Sequence, residues 1–273
     1  MTRVAVVGLG LIGGSAALAL RARGYDADPE ARARARNRGI EALDTLAEAL
    51  SGAEIILTAV PTAATPQLLR DVSSQAPAAI LTDTASLKVP IVQAASSLPP
   101  GARFVAGHPM AGSRRSGVEA ATPELFRGRP WILTRTARTD EAAFAAVAGL
   151  VRDVGARVVP LDAERHDGLM TWLSHAPLAV AAALARAAEE SAGPGLGELA
   201  GPGFLGTTRV AAQPHALALE LALADPRALA DAIDRIQGEL GAFSAALRRG
   251  DAAAVADYLE RAGALRRALD PAG

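Results

Sequence analysis

The chain has 273 residues, half of them hydrophobic and 21% charged, which is enough to bury a sizeable core and predicts two domains. Its 28 basic and 29 acidic side chains nearly cancel, so it lacks the basic surplus of proteins that bind nucleic acid. Without cysteine the chain can form neither disulfides nor a thiolate nucleophile, and zinc sites built on sulfur are excluded. We expect no nucleic-acid partner and no metal.

The N-terminal residues enter a strand pattern directly and show no export signal. The most apolar later stretch, residues 176–185, has about half of the ~20 residues that a bilayer span requires. We therefore expect a cytoplasmic protein without a membrane segment.

Short β-branched runs alternate with alanine-rich helical segments up to about residue 158, a pattern typical of a parallel sheet covered by helices. The predicted strands are 3–8, 54–60, 79–83, 103–107, 130–134 and 157–159. After Pro160 the period is almost entirely helical. These patterns predict an α/β domain with a mostly parallel sheet, residues 1–158, followed by an all-helical domain, residues 159–273.

A glycine-rich motif follows the first predicted strand and opens a helical stretch. Gly8, Gly10 and Gly13 fit G-x-G-x-x-G, in which the first glycine permits a tight turn and the second lets the backbone approach a pyrophosphate. The third glycine allows close packing of the helix. Backbone N–H groups at this helix start, including those of Leu11 and Ile12, would face the anion. The motif predicts a Rossmann-like dinucleotide site.

Asp26, 18 residues beyond Gly8, is the acid best placed to bind the adenosine ribose. Only 12 residues separate it from Gly13, so either the first helix or the second strand must be short. An acid here disfavours a 2′-phosphate and predicts NAD. A guanidinium could instead hold that phosphate, although a solvated basic helix face is the favoured interpretation of the arginines that follow. These are Arg32, Arg34, Arg36 and Arg38.

The segments after the predicted strands 79–83 and 103–107 carry the strongest catalytic signals, because strand ends of an α/β sheet face the ligand crevice. The second segment contains His108, followed by a proline and flanked by glycines. Packing explains such a histidine poorly, and its imidazole can accept a proton near neutral pH. We interpret His108 as a general base.

Several separated motifs occur together in this chain, and their order makes the set specific. They are the glycine motif, residues 83–88 (DTASLK), residues 107–112 (GHPMAG), His166-Asp167, residues 174–177 (SHAP), and Gly203-Phe204 followed by Thr208-Arg209. With them the chain resembles the prephenate/arogenate dehydrogenase family of tyrosine biosynthesis over essentially its whole length. The resemblance implies a Rossmann-like domain, a helical domain that forms a homodimer, and NAD-dependent oxidative decarboxylation of prephenate or arogenate.

The resemblance also implies roles for individual residues. It makes His108 the group bonded to the ring hydroxyl of the substrate, with Ser86 beside it, and it makes Arg209 the holder of a carboxylate. His175 and Ser113 would lie at the substrate pocket. Without the resemblance, Arg209 would be interpreted as a helix-surface residue, and His175 equally as a core histidine.

Other residues of these motifs leave alternatives open. His166 precedes Asp167 at a predicted helix start, where capping is the favoured role. Arg114 stands where the family pattern has an acid, and Leu178 replaces a second histidine, so the preference between prephenate and arogenate stays open. A β-hydroxyacid dehydrogenase or imine reductase is a second enzyme hypothesis. A nucleotide-binding regulatory protein without turnover is a third hypothesis.

Overall fold

The computed structural model describes residues 2–113 and 115–269, which form two compact units. The first unit contains the described residues up to Met170 together with Ala212–Ala224. The second unit contains Thr171–Ala211 and the described residues from Asp225 onward. The domain boundary predicted after residue 158 falls within a strand, Arg157–Pro160, and stays a prediction.

The first unit is built on one seven-stranded sheet. Its strands are β1 (Val4–Val7), β2 (Arg23–Tyr25), β3 (Ile55–Thr58), β4 (Ile80–Asp83), β5 (Arg103–Pro109), β6 (Pro130–Thr134) and β7 (Arg157–Pro160). They lie in the order β2-β1-β3-β4-β5-β6-β7, and only the β5–β6 pair is antiparallel. The six predicted strands and the mostly parallel sheet are confirmed. The short second strand is also confirmed, since β2 has three residues.

Helices account for most of the remaining described residues. They are α1 (Leu11–Leu20), α2 (Pro29–Asn37), α3 (Leu46–Leu50), α4 (Thr65–Gln75), α5 (Val89–Ala95), α6 (Glu141–Asp153), α7 (Ala163–Met170), α8 (Ala176–Ala192), α9 (Leu196–Leu199), α10 (Pro202–Thr208), α11 (His215–Ala222), α12 (Pro226–Arg248) and α13 (Ala252–Leu269). A π-helical turn, Thr171–His175, precedes α8. Asp28 caps α2 and Pro29 is its first residue, as predicted.

Hydrophobic side chains cover both faces of the sheet. Successive residues of a strand point to opposite faces, and the two core clusters follow this alternation. Val6 and Leu57 belong to one cluster, whereas Val7 and Ile56 belong to the other. Strands buried on both faces are typical of parallel sheets between two helical layers. Buried polar side chains of the strands, such as Thr58, Asp83 and Thr134, therefore lie at the strand ends.

The described part of the second unit contains helices and no strand, in agreement with the predicted all-helical region. Its longest helices, α12 and α13, contact each other through Phe243 and Tyr258, whose ring centroids are 4.8 Å apart. Several leucines of this pair are more than half exposed, among them Leu240 and Leu265.

One described helical stretch, Ala163–Ala192, is long and apolar enough by length and composition to cross a membrane. This is weak support for a membrane span, because core helices of soluble proteins pass the same test. The expectation of no membrane segment stays a prediction.

Candidate active site

The glycine motif forms the turn between β1 and α1. Gly8 has a φ of 97°, and a Cβ there would lie 2.3 Å from the carbonyl oxygen of Ala59. A Cβ on Gly13 would lie 1.8 Å from the carbonyl oxygen of Gly8, whereas one on Gly10 would meet no heavy atom within 4 Å. Two of the glycines are thus required by the protein's own packing. Gly10 borders open space, through which a pyrophosphate could approach the backbone.

The N-terminus of α1 is free of competing side-chain caps. Gly10 is the N-cap residue, no side chain caps the helix, and its first turn carries no acidic residue. The first N–H groups of a helix, here those of Leu11, Ile12 and Gly13, have no partner within the helix and favour an anion. The residues present fit the pyrophosphate of a dinucleotide.

Asp26 lies at the end of β2 and braces the glycine turn. Its Oδ2 accepts a hydrogen bond from the N–H of Leu9 at 2.7 Å, and its Oδ1 accepts one from the N–H of Asp28 at 3.0 Å. A carboxylate oxygen can accept more than one hydrogen bond, so both could still accept from ribose hydroxyls. The ribose role of Asp26 stays a prediction.

Each of the four arginines after Asp26 is engaged by the protein itself. The contacts are Arg32 to the carbonyl of Asp26, Arg34 to Asp28, Glu30 and Glu119, Arg36 to Asp44 and the carbonyl of Ala42, and Arg38 to the carbonyl of Ala121. The hydrogen bond and charge of Arg36 hold the pKa of the Asp44 carboxyl below its usual value. These contacts favour the interpretation as a basic helix face over a clamp for a 2′-phosphate.

A buried ion pair joins the ends of β4 and β5. The Nζ of Lys88 lies 2.5 Å from Oδ2 of Asp83 and 2.5 Å from the carbonyl oxygen of Gly107, and both charged side chains are fully buried. Asp83 also accepts hydrogen bonds from the N–H groups of Gly107 and Ala85, each at 2.9 Å. Burial lowers the pKa of Lys88, while the charge of Asp83 opposes that shift. Asp83 and Lys88 therefore hold Gly107, the residue before His108, at both its N–H group and its carbonyl oxygen.

His108 lies within β5, and not in a loop after the strand as the sequence analysis expected. The parallel pairing of β5 with β4 ends at Val105, but β5 continues along β6, where His108 is opposite Ile132. Gly107 is required here by packing, because a Cβ would lie 2.7 Å from the carbonyl oxygen of Asp83. The sheet, more than a glycine turn, therefore holds the half-buried His108.

Behind His108 lies a chain of hydrogen bonds. Its Nδ1 is 2.8 Å from Nε2 of His166, and the Nδ1 of His166 is 2.6 Å from Oδ1 of Asp167. Asp167 in turn accepts from the N–H groups of Lys88 at 2.8 Å and Val89 at 2.9 Å, at the start of α5. His166 is fully buried. The capping role predicted for His166 is wrong, since the N–H of Arg165 in its own helix, α7, is bonded by Asp162.

The other predicted site residues are divided between the two units, Ser86 and Ser113 in the first and His175 and Arg209 in the second. Ser86 is half-buried in the segment after β4, and Ser113 is exposed, its Oγ accepting a hydrogen bond from the N–H of Arg115 at 3.1 Å. In the second unit, His175 is buried at the start of α8 and Arg209 is exposed after α10. The catalytic role of Ser86 and the substrate-binding roles of Ser113, His175 and Arg209 stay predictions.

Two residues depart from the family pattern, and the structure describes only one of them. Leu178 is a buried residue of α8. Arg114 lies outside the described residues.

The first unit thus brings two sets of predicted residues to the same edge of its sheet. The glycine turn and Asp26 follow β1 and β2, while Ser86 and His108 belong to the ends of β4 and β5. Lys88, His166 and Asp167 belong to motifs seen in the sequence, but the contact of His166 with His108, its link to Asp167 and the contact of Lys88 with Gly107 were not predicted.

Two family models match the chain in succession. The model described as "Prephenate dehydrogenase, nucleotide-binding domain" matches residues 16–160, and the model described as "Prephenate dehydrogenase, dimerization domain" matches residues 162–261. The chain belongs to the prephenate dehydrogenase family. The sequence resemblance is thereby confirmed, and the two family models do not support the second enzyme hypothesis, a β-hydroxyacid dehydrogenase or imine reductase.

Individual members of the prephenate dehydrogenase family match over nearly the whole chain. Prephenate dehydrogenase of Lactococcus lactis is 30% identical, and the match covers 99% of this chain and 78% of the relative. A crystal structure of the Aquifex aeolicus prephenate dehydrogenase with hydroxyphenyl propionate and NAD+ has a TM-score of 0.89 at 29% identity and covers 99% of each chain. Synechocystis arogenate dehydrogenase has a TM-score of 0.82 at 28% identity, over 98% of this chain and 100% of the relative.

Proposed function

We propose that this chain is an NAD-dependent prephenate dehydrogenase that converts prephenate to 4-hydroxyphenylpyruvate in tyrosine biosynthesis. Arogenate, which undergoes the same ring chemistry, is the alternative substrate. The observation that carries the proposal is the placement of a dinucleotide turn and of His108 at one edge of the sheet, in a chain of this family.

The spacing along that edge suits a dinucleotide. β1, which leads into the glycine turn, is separated from β5 by β3 and β4. Neighbouring strands are about 4.8 Å apart, so the turn and His108 are separated by roughly 14 Å along the edge. A pyrophosphate bound at the turn leaves the nicotinamide half to extend towards β4 and β5. Ser86 and His108 lie at that end, on a rigid sheet that can orient the substrate against the nicotinamide.

His108 would act on the ring hydroxyl of the substrate. NAD held at the glycine turn would supply the acceptor for the hydride of the carbinol carbon. The hydroxyl proton passes to a ring nitrogen of His108 as that hydride leaves, because the oxygen becomes a carbonyl. The carbon–carbon bond to the ring carboxylate then breaks, carbon dioxide leaves, and its electron pair makes the ring an aromatic phenolate. His108 then returns the proton to that oxygen, so the product is a neutral phenol and the imidazole is neutral again.

An assay of NADH formation with prephenate, with arogenate and with a panel of 3-hydroxyacids tests the proposed activity. We expect turnover of prephenate, and NAD should be used at least ~10-fold better than NADP, an advantage of about 1.4 kcal/mol. The acid at Asp26 and the engaged arginines of α2 are the reason for this preference. Equal use of both cofactors would contradict the role of Asp26. NAD binding without any turnover would support the regulatory hypothesis.

We propose that Arg209 binds a carboxylate of the substrate, because its exposed guanidinium can form two parallel hydrogen bonds with such a group. Replacement of Arg209 by alanine should raise KM for prephenate by ~10- to 100-fold, since a lost charged hydrogen bond costs about 1.5 to 3 kcal/mol. NAD affinity should change little. Arg186 of α8, also an exposed arginine of the second unit, provides a matched control when replaced by alanine. Equal KM values for the two variants would show that Arg209 is an ordinary surface residue.

We propose a substrate-binding role for His175 and one for Ser113, as the family resemblance implies. We also propose that the chain forms a homodimer through its C-terminal helices. The match to a dimerization domain over residues 162–261 supports the dimer. Exposed leucines on α12 and α13, such as Leu247 and Leu259, each 55% exposed, offer apolar surface for such an interface. We also propose a cytoplasmic location, which suits a biosynthetic enzyme without cysteine.

A further inference from the structure

His166 and Asp167 lie behind His108, and the reaction described above gives them no role. Both belong to α7, whereas His108 belongs to β5, 58 residues earlier in the chain. His166 is fully buried and its ring is turned 67° from that of His108, with ring centroids 5.1 Å apart. A histidine buried beside another histidine and a carboxylate costs desolvation energy that simple packing would avoid. The arrangement therefore calls for a chemical explanation.

The protons of this network can be assigned from Asp167. Burial acts to raise the pKa of its carboxyl, but the hydrogen bonds from His166 and from the N–H groups of Lys88 and Val89 outweigh burial and hold the pKa below its usual value. Asp167 is therefore ionised near neutral pH, and an ionised carboxylate only accepts hydrogen bonds. The Nδ1 of His166, 2.6 Å from Oδ1 of Asp167, must carry a proton.

The position of the proton on His166 determines the position of the proton on His108. In its neutral form His166 carries a single ring proton, so a proton on Nδ1 leaves its Nε2 unprotonated. That Nε2 faces Nδ1 of His108 at 2.8 Å, so it must accept a hydrogen bond from His108. Nδ1 of His108 therefore carries the proton of the neutral ring, and Nε2 of His108 is its basic nitrogen.

We infer that Asp167 and His166 are positioning residues, which hold neutral His108 as its Nδ1–H tautomer and so make Nε2 the nitrogen that accepts the proton of the substrate. The inference rests on the proposed function for the source of that proton, but the tautomer is a property of the free protein. After proton transfer, Nδ1–H of His108 still donates to His166, and the carboxylate of Asp167 stabilises the new positive charge. In many enzymes a carboxylate orients a catalytic histidine directly. Here the ring of His166 lies between the carboxylate of Asp167 and His108.

The buried pair of Asp83 and Lys88, which holds Gly107 beside His108, does not replace this function. Asp83 and Lys88 are held behind Gly107 and pair with each other, so their charges largely cancel. Asp167 is the acidic group that is linked to the ring of His108 through hydrogen bonds. Loss of His166 would separate His108 from that carboxylate.

Nitrogen NMR of the histidine rings tests the tautomer without any turnover. The chain has only four histidines, so single substitutions can assign their signals. We expect the neutral ring of His108 in the free protein to carry its proton on Nδ1, and that of His166 likewise. A proton on Nε2 of neutral His108 would overturn the inference. The correct tautomer in a protein that does not oxidise prephenate or arogenate would support the inference and refute the proposed function.

Kinetics of two variants test the effect of the network on the reaction. His166→Phe removes the acceptor, and we expect kcat to fall at least about tenfold, because His108 is no longer held in one tautomer. The acidic limb of the kcat profile should move to lower pH, since the protonated ring loses its link to Asp167. His166→Gln keeps an amide oxygen that can accept from Nδ1 of His108, so it should recover part of the lost kcat.

Asp162→Ala provides the matched control, because Asp162 caps the same helix, α7, and is not a member of the chain of hydrogen bonds that joins His108, His166 and Asp167. It should lower Tm by a few degrees, because α7 loses its N-cap, and leave the pH profile unchanged. Calorimetric NAD binding should show that all three variants keep the cofactor site. A folded His166→Phe protein with the kcat and pH profile of the Asp162→Ala control would overturn the positioning role.

Discussion

Replacement of His108 by asparagine should lower kcat by roughly 10² to 10⁴-fold, the usual contribution of a general base. The half-buried ring of His108 is fixed by β5, by the contacts of Gly107 with Asp83 and Lys88, and by His166. Asparagine has a similar size and polarity but cannot accept the hydroxyl proton at neutral pH. Binding of prephenate and NAD should change much less than kcat, because the lost interaction acts mainly in the transition state.

The pH dependence provides a second measurement of the same role. In the unmodified enzyme, kcat should fall on the acidic side as the accepting nitrogen becomes protonated, and this limb should disappear in the His108→Asn variant. His215, at the start of α11, has no assigned role, and its replacement by asparagine serves as a control that should retain the limb. A folded His108→Asn variant with more than about a tenth of the original kcat and an unchanged profile would exclude His108 as the base.

Replacement of Lys88 by methionine should lower the free energy of unfolding by about 3 to 5 kcal/mol, because it leaves the carboxylate of Asp83 buried without its counter-ion. For a unit of this size the loss corresponds to a decrease in Tm of roughly 6 to 20 °C. The carbonyl oxygen of Gly107 also loses its buried hydrogen-bond donor. His108 should then be held less rigidly, and kcat should fall. Thermal unfolding followed by circular dichroism, with kcat measured well below Tm, would determine both effects.

The ion pair between Arg103 and Asp140 provides the control for the Lys88 variant. It also involves β5, but its side chains are 35% and 40% exposed, in contrast to the fully buried Lys88 and Asp83. Solvent screens exposed pairs, so Arg103→Met should change Tm by no more than a few degrees. Equal decreases in Tm for Lys88→Met and Arg103→Met would show that the buried ion pair contributes no more to stability than the exposed one.

The sequence by itself determined the strands, the dinucleotide turn and the identity of the candidate base. These features depend on local rules: continuous apolar runs in strands buried on both faces, glycines where a side chain would collide with the backbone, and an imidazole between a glycine and a proline. Gly13 has its decisive contact with Gly8 of the same motif, whereas the contact that requires Gly8 is with Ala59, after the neighbouring strand β3. The count of residues between Gly13 and Asp26 required either a short first helix or a short second strand, and the structure decided for the second, since β2 has three residues.

The surroundings of His108 were decided only by the tertiary structure. Its contact with His166 joins positions 58 residues apart, and the contacts of Asp167 with the N–H groups at α5 join positions 79 and 78 residues apart. Neighbours along the chain favoured a local capping role for His166, and nothing in residue spacing shows that α7 packs against the start of α5. Buried polar groups must find partners wherever packing brings them, because an unpaired one costs about 1 to 3 kcal/mol. Whether His108 lies in a loop or a strand was likewise settled by β6, whose antiparallel pairing extends β5 beyond β4.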